Sequence, residues 1–458
     1  MKSANIDMIN GNMKVNIIRY TLPIMFSGIL QLLFNACDMI VVGRFAGSTP
    51  LAAVGATATL TNLLVNLFVG LSVGANVLAA QLFGARNYER FDRLIHTSLL
   101  VSFLSGIFLA VLGYFICRPC LIMLNTPDDV LDLSVLYMRI IFMGMPMLLL
   151  YNFGASILRA EGNTRQPLIF LTIGGIANVF LNLLLVIVFD LSVAGVAIGT
   201  VVSQTIAAFL VLMYLRDPSK PYTFSFKKLC IDWGLFKNMI QIGVPAGVHG
   251  MMFSIANMQI QSSLNLFGSA AMAGCAAASS IEGFAYTSIN SVSQTALNFT
   301  GQNVGADRRD QIPKIMHICL LYLIIIAVVL GGLGSLFARP LLSFYTKDAE
   351  AIRIGMTRML ILLLTYFTIA PQEIIPGILR GVGYSTLPTL ISLVGVCGFR
   401  IVWIYTYFQT HKTLMVLYIT YPISWILTGA AYIVCYFILR KKILHGSAII
   451  SAPTDTSH

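Results

Sequence analysis

Charge is what this chain has least of. Lys, Arg, Asp and Glu together make up 10% of its 458 residues, where a soluble globular chain carries about 25%. Histidine is sparse too, with six residues scattered singly. No G-x-S-x-G, H-E-x-x-H or paired intramembrane histidines occur, so the hydrolase and zinc-peptidase classes find no nucleophile or ligand set. A Walker A sequence is also missing, which excludes ATP as the direct energy source. The first twenty residues lack a short apolar core followed by a small-residue cleavage site, so the first long span is expected to act as its own insertion signal. The eight cysteines lie mostly inside apolar runs. Cys117 and Cys120 have C-x-x-C spacing, but no His or second pair stands near, and they read as ordinary small apolar residues. No cofactor and no enzymatic role are expected.

What is present is apolar length. The chain is 57% hydrophobic, with a mean hydropathy of +0.83. The runs are continuous rather than alternating, which argues for helices and against a β-barrel. The expected fold class is an all-α polytopic membrane protein. Twelve spans are predicted, at about 16–43, 51–84, 94–117, 132–158, 167–189, 191–214, 235–267, 271–301, 313–338, 352–379, 387–408 and 414–439. The net charge of +11 would suggest nucleic acid in a soluble chain. Here 20 of the 29 basic residues fall at the termini and in loops after even-numbered spans. Both termini are therefore predicted to be cytoplasmic, in the cell (inner) membrane.

The chain repeats itself. At an offset of 221, Gln81 matches Gln302, Arg118-Pro119 matches Arg339-Pro340, and Ile157-Leu158-Arg159 matches Ile378-Leu379-Arg380. Gly162 then matches Gly383 and Pro167 matches Pro388. Near the start the offset is 222, with Pro23 on Pro245 and Asn35 on Asn257. Six spans per half put both halves in the same orientation, related by a pseudo-twofold axis along the membrane normal. The expected organisation is an amino-terminal lobe (1–215), a cytoplasmic linker with an amphipathic surface helix around Phe226–Phe236 (216–237), a carboxy-terminal lobe (238–442) and a disordered tail (443–458). A central cleft between the lobes, opened alternately to each side, would hold the substrate. One chain supplies both lobes, so a monomer is expected. Gly70/Gly74 and Gly195/Gly199 are small-xxx-small pairs that let helices approach closely.

One span is polar on one side. In TLPIMFSGILQLLFNACDMIVVG, from Thr21 to Gly43, the residues Ser27, Gln31, Asn35 and Asp38 recur every three or four positions and share a helical face. A carboxylate at this depth costs roughly 2.5–3.5 kcal/mol on insertion scales, so that face must meet a partner helix or a wet cavity. Candidate neighbours are Asn178 and Asn182, four apart on the fifth span, and Thr200 on the sixth. Such a group could take up a proton, or coordinate a hard cation such as Na+ through oxygen. A purely structural Asp bonded to a neighbouring helix is the alternative. Ile260 stands where Asp38 would repeat. The second half offers Asn257 and Gln261, with Glu282, Glu373 and Arg400, and a lone intramembrane Arg needs a counter-charge. Arg400 is expected to pair with Glu373 or Glu282. Met138, Met143, Met145 and Met147 cluster in the fourth span, where flexible thioethers suit varied apolar or cationic guests or simply pack.

These pieces resemble a known family over nearly the whole chain. LPIMFSGILQLLFNACDMIVVG, AAQLFGARN with its echo FTGQNVGADRR, ILRAEGNTRQP with ILRGVGYSTLP, and GVPAGVHGMMFSIANMQIQ look like the multidrug and toxic compound extrusion (MATE) transporters of bacterial type. The resemblance implies a twelve-helix antiporter exporting organic, often cationic, compounds in exchange for H+ or Na+. It also places Asp38 at the coupling-ion position of the first helix, with Asn178 and Thr200 at the amino-lobe ion site. Related members carry Asp where this chain has Asn182, which leaves Asp38 the only carboxylate of the cluster. Glu282 and Glu373 are then alternative coupling acids. The rival reading is a flippase for a lipid-linked or amphiphilic substrate, which would need a basic cavity; a receptor or channel is disfavoured mildly. Nucleic acid is not an expected partner.

Overall fold

In the computed structural model, residues 5–124 and 126–446 are described. Apolar length sets the architecture. Ten helices are long and apolar enough to cross a membrane: α1 (Met13–Ala46), α2 (Ser48–Gly84), α3 (Tyr88–Met123), α5 (Arg165–Val188), α6 (Ser192–Leu215), α7 (Trp233–Phe267), α9 (Arg309–Leu336), α10 (Ala349–Val382), α11 (Thr386–Thr410) and α12 (Leu414–His445). An eleventh, α4, is a pair, Asp128–Met143 and Met145–Ala160, bent by 47° where Gly144 and Pro146 interrupt the backbone ladder.

The twelfth helix, α8 (Ser269–Gly305), has the same 37-residue length as α2. It is less apolar because its polar side chains point inward. Ser288, Ser291, Thr295, Asn298, Thr300, Gln302 and Asn303 are all buried. The outer faces carry the opposite pattern: Phe108, Phe115, Phe180, Val188, Val394, Val402 and Ile438 are exposed. Apolar outside and polar inside suits a chain whose surroundings are hydrocarbon.

The internal repeat holds at the level of the backbone. Three conformations with positive φ recur 221 residues apart: Gly47 (105°) and Gly268 (86°), Arg86 (54°) and Asp307 (57°), Gly162 (94°) and Gly383 (115°). Left-handed geometry is costly for residues with a Cβ, so its recurrence in register marks two copies of one folding unit.

The chain forms two compact units. Among the described residues, the first holds Asn5–Asp7 and Leu22–Gly247; the second holds Met8–Thr21 and residues 248–446. The division thus falls inside α1 and α7, close to Pro23 and Pro245. In the first unit, α3 packs on α4 and α5 on α6; in the second, α8 is flanked by α9 and α10. The first turns of α1 are tied to α8 by a Thr21–Thr295 hydroxyl contact (2.8 Å) and an edge-on Tyr20–Phe299 pair.

The surface helix expected around Phe226–Phe236 is absent. A single 3-10 turn, Phe226–Lys228, is followed by non-helical chain until α7 begins at Trp233. Polar groups of α3 hold this segment strand-like instead. Asp92 accepts from Thr223 N–H, His96 Nε2 from Ser225 N–H, and Thr97 Oγ1 from Asp232 N–H, each at 3.0 Å. Backbone donors satisfied this way leave no need for a helix. Of the disordered tail expected over 443–458, residues 443–445 are helical, the end of α12; residues 447–458 lie outside the described residues.

Candidate functional site

In the first unit the polar face of α1 meets α5 and α6. Asp38 is buried at 8% exposure. Its Oδ1 accepts from Asn182 Nδ2 at 2.5 Å and its Oδ2 from Thr200 Oγ1 at 3.3 Å. Asn178 Nδ2 donates to Thr200 Oγ1 (3.4 Å), and Asn182 Nδ2 also reaches Asn178 Oδ1 (3.4 Å). The four residues expected to be neighbours therefore form one cluster. Two π-helical turns border it, Val42–Ala46 after Asp38 and Leu184–Val188 after Asn182, and such turns re-aim side chains at functional sites.

A glycine makes the approach possible. A Cβ on Gly199 would lie 2.2 Å from Asn182 Oδ1, so any other residue there would push the amide away. The Oδ1 of Asn182 is itself buried without a hydrogen-bond donor among the described residues. A cavity of about 40 Å³ adjoins the cluster, lined by Gln31, Asn35, Asp38, Asn178 and Thr200 among others. Ser27 is spent differently, donating to the Pro23 carbonyl at 2.8 Å.

The second unit encloses a larger cavity of about 270 Å³, walled by the aromatic rings of Phe253, Tyr286, Tyr366, Tyr421 and Trp425. Asn257, Gln261, Glu282 and Arg400 line it as well, and so does Ile260 in the position equivalent to Asp38. The expected pairing of Arg400 is overturned. Glu282 is taken bidentately by Arg358, Nε to Oε1 at 3.0 Å and Nη2 to Oε2 at 2.9 Å. Glu373 receives a hydrogen bond from Asn290 and does not line the cavity. Arg400 instead donates to Asn257 Oδ1 and Ser424 Oγ, both at 3.3 Å, and lies 4.3 Å from the Tyr421 ring centre.

Arg358 was missed in the sequence because it lies near the predicted start of its span. Two intramembrane carboxylates, Glu282 and Glu373, set against the single Arg400 were the available signal. The methionines do not form one surface. Met138 and Met145 are buried in an apolar core with Phe142 and Leu149, whereas Met143 is exposed.

Two stretches of the chain, residues 23–184 and 245–406, each match the MatE family model. The chain belongs to the MatE family. The two matched stretches are the two halves of the repeat, each starting at Pro23 or its counterpart Pro245. Among relatives of this MatE protein, the probable multidrug resistance protein YoeA of Bacillus subtilis is 29% identical over 390 residues, 83% of this chain and 84% of that one. The FAD transporter of Shewanella oneidensis is 24% identical over 71% of this chain and 73% of its own. Among solved structures, a MOP superfamily transporter from Pyrococcus furiosus superposes with a TM-score of 0.89 at 19% identity, covering 97% of this chain and 99% of that one. The Vibrio cholerae MATE transporter VcmN D35N mutant gives 0.87 at 21% identity, covering 94% and 98%. The protein is a multi-pass membrane transporter of small molecules with twelve helices in two halves, and not an enzyme.

Proposed function

We propose that this MatE protein is a secondary antiporter that exports small organic compounds in exchange for H+ or Na+, with Asp38 as the coupling carboxylate. The observation that carries this reading is the state of that carboxylate. It is buried, it faces only amide and hydroxyl groups, and no basic side chain among the described residues pairs with it. Such a carboxylate is held ready for a small cation rather than neutralised by the protein. Asn178 and Thr200, which line the small cavity with Asp38, bring amide and hydroxyl oxygens of the kind hard cations require.

Occupancy of Asp38 would then bias the two halves between inward-open and outward-open states, since an ion that binds one state better shifts the population toward it. The chain works as a monomer in the inner membrane, with both termini cytoplasmic, in line with the basic residues of its loops. Relatives carry names that span multidrug resistance and FAD transport, so the cargo is not fixed by membership. The flippase reading gains one observation, the two guanidinium groups beside an aromatic-walled cavity. Depletion of surface lipid-linked cargo in a deletion strain, without change in drug sensitivity, would favour it.

The test is efflux of a dye from proteoliposomes under separate pH and sodium gradients. Asp38→Asn is expected to abolish gradient-driven efflux while the purified protein keeps its elution profile. Undiminished coupled efflux by that variant removes Asp38 from the mechanism.

A further inference from the structure

The second-unit cavity is unbalanced in charge. Three ionic groups line it: Glu282, Arg358 and Arg400. The first two cancel as a bidentate pair. Arg400 is left with one positive charge, 1% exposed, and only neutral acceptors: the Asn257 amide oxygen and the Ser424 hydroxyl. Its Nη2 is buried with no hydrogen-bond partner among the described residues. An unpaired buried guanidinium is costly, and its planar fork matches a carboxylate or phosphate.

The aromatic walls do not turn this into a cation site. The face of Tyr421 is already covered by Arg400 at 4.3 Å and approached by Arg358 at 5.7 Å, and Phe253 lies 5.8 Å from Arg400. A cationic guest would find those rings in use and a like charge beside them. An anion carried on an aromatic ring would meet the opposite: a counter-charge in the cavity wall, and further ring surface from Tyr286, Tyr366 and Trp425 to pack against.

We propose that this cavity is a binding site for an organic anion, a carboxylate or phosphate borne on an aromatic group, with Arg400 as its counter-charge. The inference deepens the export reading by naming a substrate class, and its role in transport rests on that reading. Binding itself does not, because it can be measured on the purified full-length protein with no ion gradient.

Isothermal titration calorimetry in detergent micelles would use three probes: salicylate, phenyl phosphate and the similarly sized cation phenethylammonium. At least one anion is expected to bind saturably and to weaken with added salt, and the choice between salicylate and phenyl phosphate identifies the acidic group. Arg400→Gln should lose about tenfold or more in affinity, as expected for removing the counter-charge in a buried wall. Glu282→Gln, which strips the counter-charge from Arg358, should tighten anion binding several-fold. That gain keeps the test decisive if Arg400 variants fail to fold. Tighter binding of phenethylammonium than of both anions, or anion affinity indifferent to Glu282→Gln, overturns the proposal. Anion binding without ion exchange would sink the antiport reading alone.

Discussion

The Glu282–Arg358 pair makes the most quantitative claim about this fold. Glu282 is 5% exposed and Arg358 7%, and two bonds of 3.0 and 2.9 Å join them between α8 and α10. Desolvating both ions offsets most of their attraction, so the pair adds little net stability over an apolar pair of similar volume. Removing one partner is different, because it strands the other charge. Glu282→Leu or Arg358→Met alone should therefore cost about 3–5 kcal/mol. Glu282→Leu/Arg358→Met together should cost about 1 kcal/mol or less, or stabilise. The two effects are far from additive, with a coupling of several kcal/mol between side chains in direct contact. Unfolding free energies of the four proteins in mixed micelles would measure it. A double variant as damaged as the sum of the singles would refute the reasoning, since the stranded charge would then not be the cause.

Gly199→Ala should uncouple transport, because a Cβ 2.2 Å from Asn182 Oδ1 displaces the amide from Asp38; ion-driven efflux reads it, and coupling as in the unsubstituted protein would argue against the Asn182 contact. In the loop after α4, burial pushes the Glu161 carboxyl up to about 7 from 4.5, against the opposing pull of Lys220. Its proton is held more firmly folded than unfolded, so its contribution is fully present below about pH 4.5 and is lost as pH rises through 7, at most about 3 kcal/mol. Glu161→Gln should flatten that part of the stability–pH curve, measured by thermal denaturation in detergent between pH 5 and 8. Gly383→Ala should cost about 1–2 kcal/mol through its left-handed backbone, seen as a lower unfolding midpoint. Cys230 is the one exposed cysteine among the eight, all free thiols. A membrane-impermeant maleimide should label it only from the cytoplasmic side, and labelling from outside intact cells would reverse the proposed topology.

Local regularities of the sequence were enough for the helices and for the polar faces that form the first cluster. Asp38 and the pair Asn178 and Asn182 were legible because helical spacing alone puts each set on one face, and a membrane interior allows polar faces few places to go. The register of the repeat, which sets Gly162 on Gly383, is the register in which the left-handed positions recur. Arg358 was not legible, because its partner lies 76 residues away and helical periodicity says nothing about which faces meet. The segment around Phe226–Phe236 misled for a related reason. Its residues permit an amphipathic helix, and only the acceptors offered by Asp92, His96 and Thr97 decided otherwise.

The sequence by itself determined that the chain is helical, membrane-spanning and duplicated, since length of apolar run and spacing of residues are properties of the chain alone. Which charges cancel and which stand unpaired was decided by tertiary packing. Glu282 could have been claimed by either of two arginines in the same cavity, and the fork geometry of Arg358 took it. That choice neutralised one end of the cavity and left the guanidinium of Arg400 among neutral groups, because ion pairing depends on ångström distances that no linear pattern encodes.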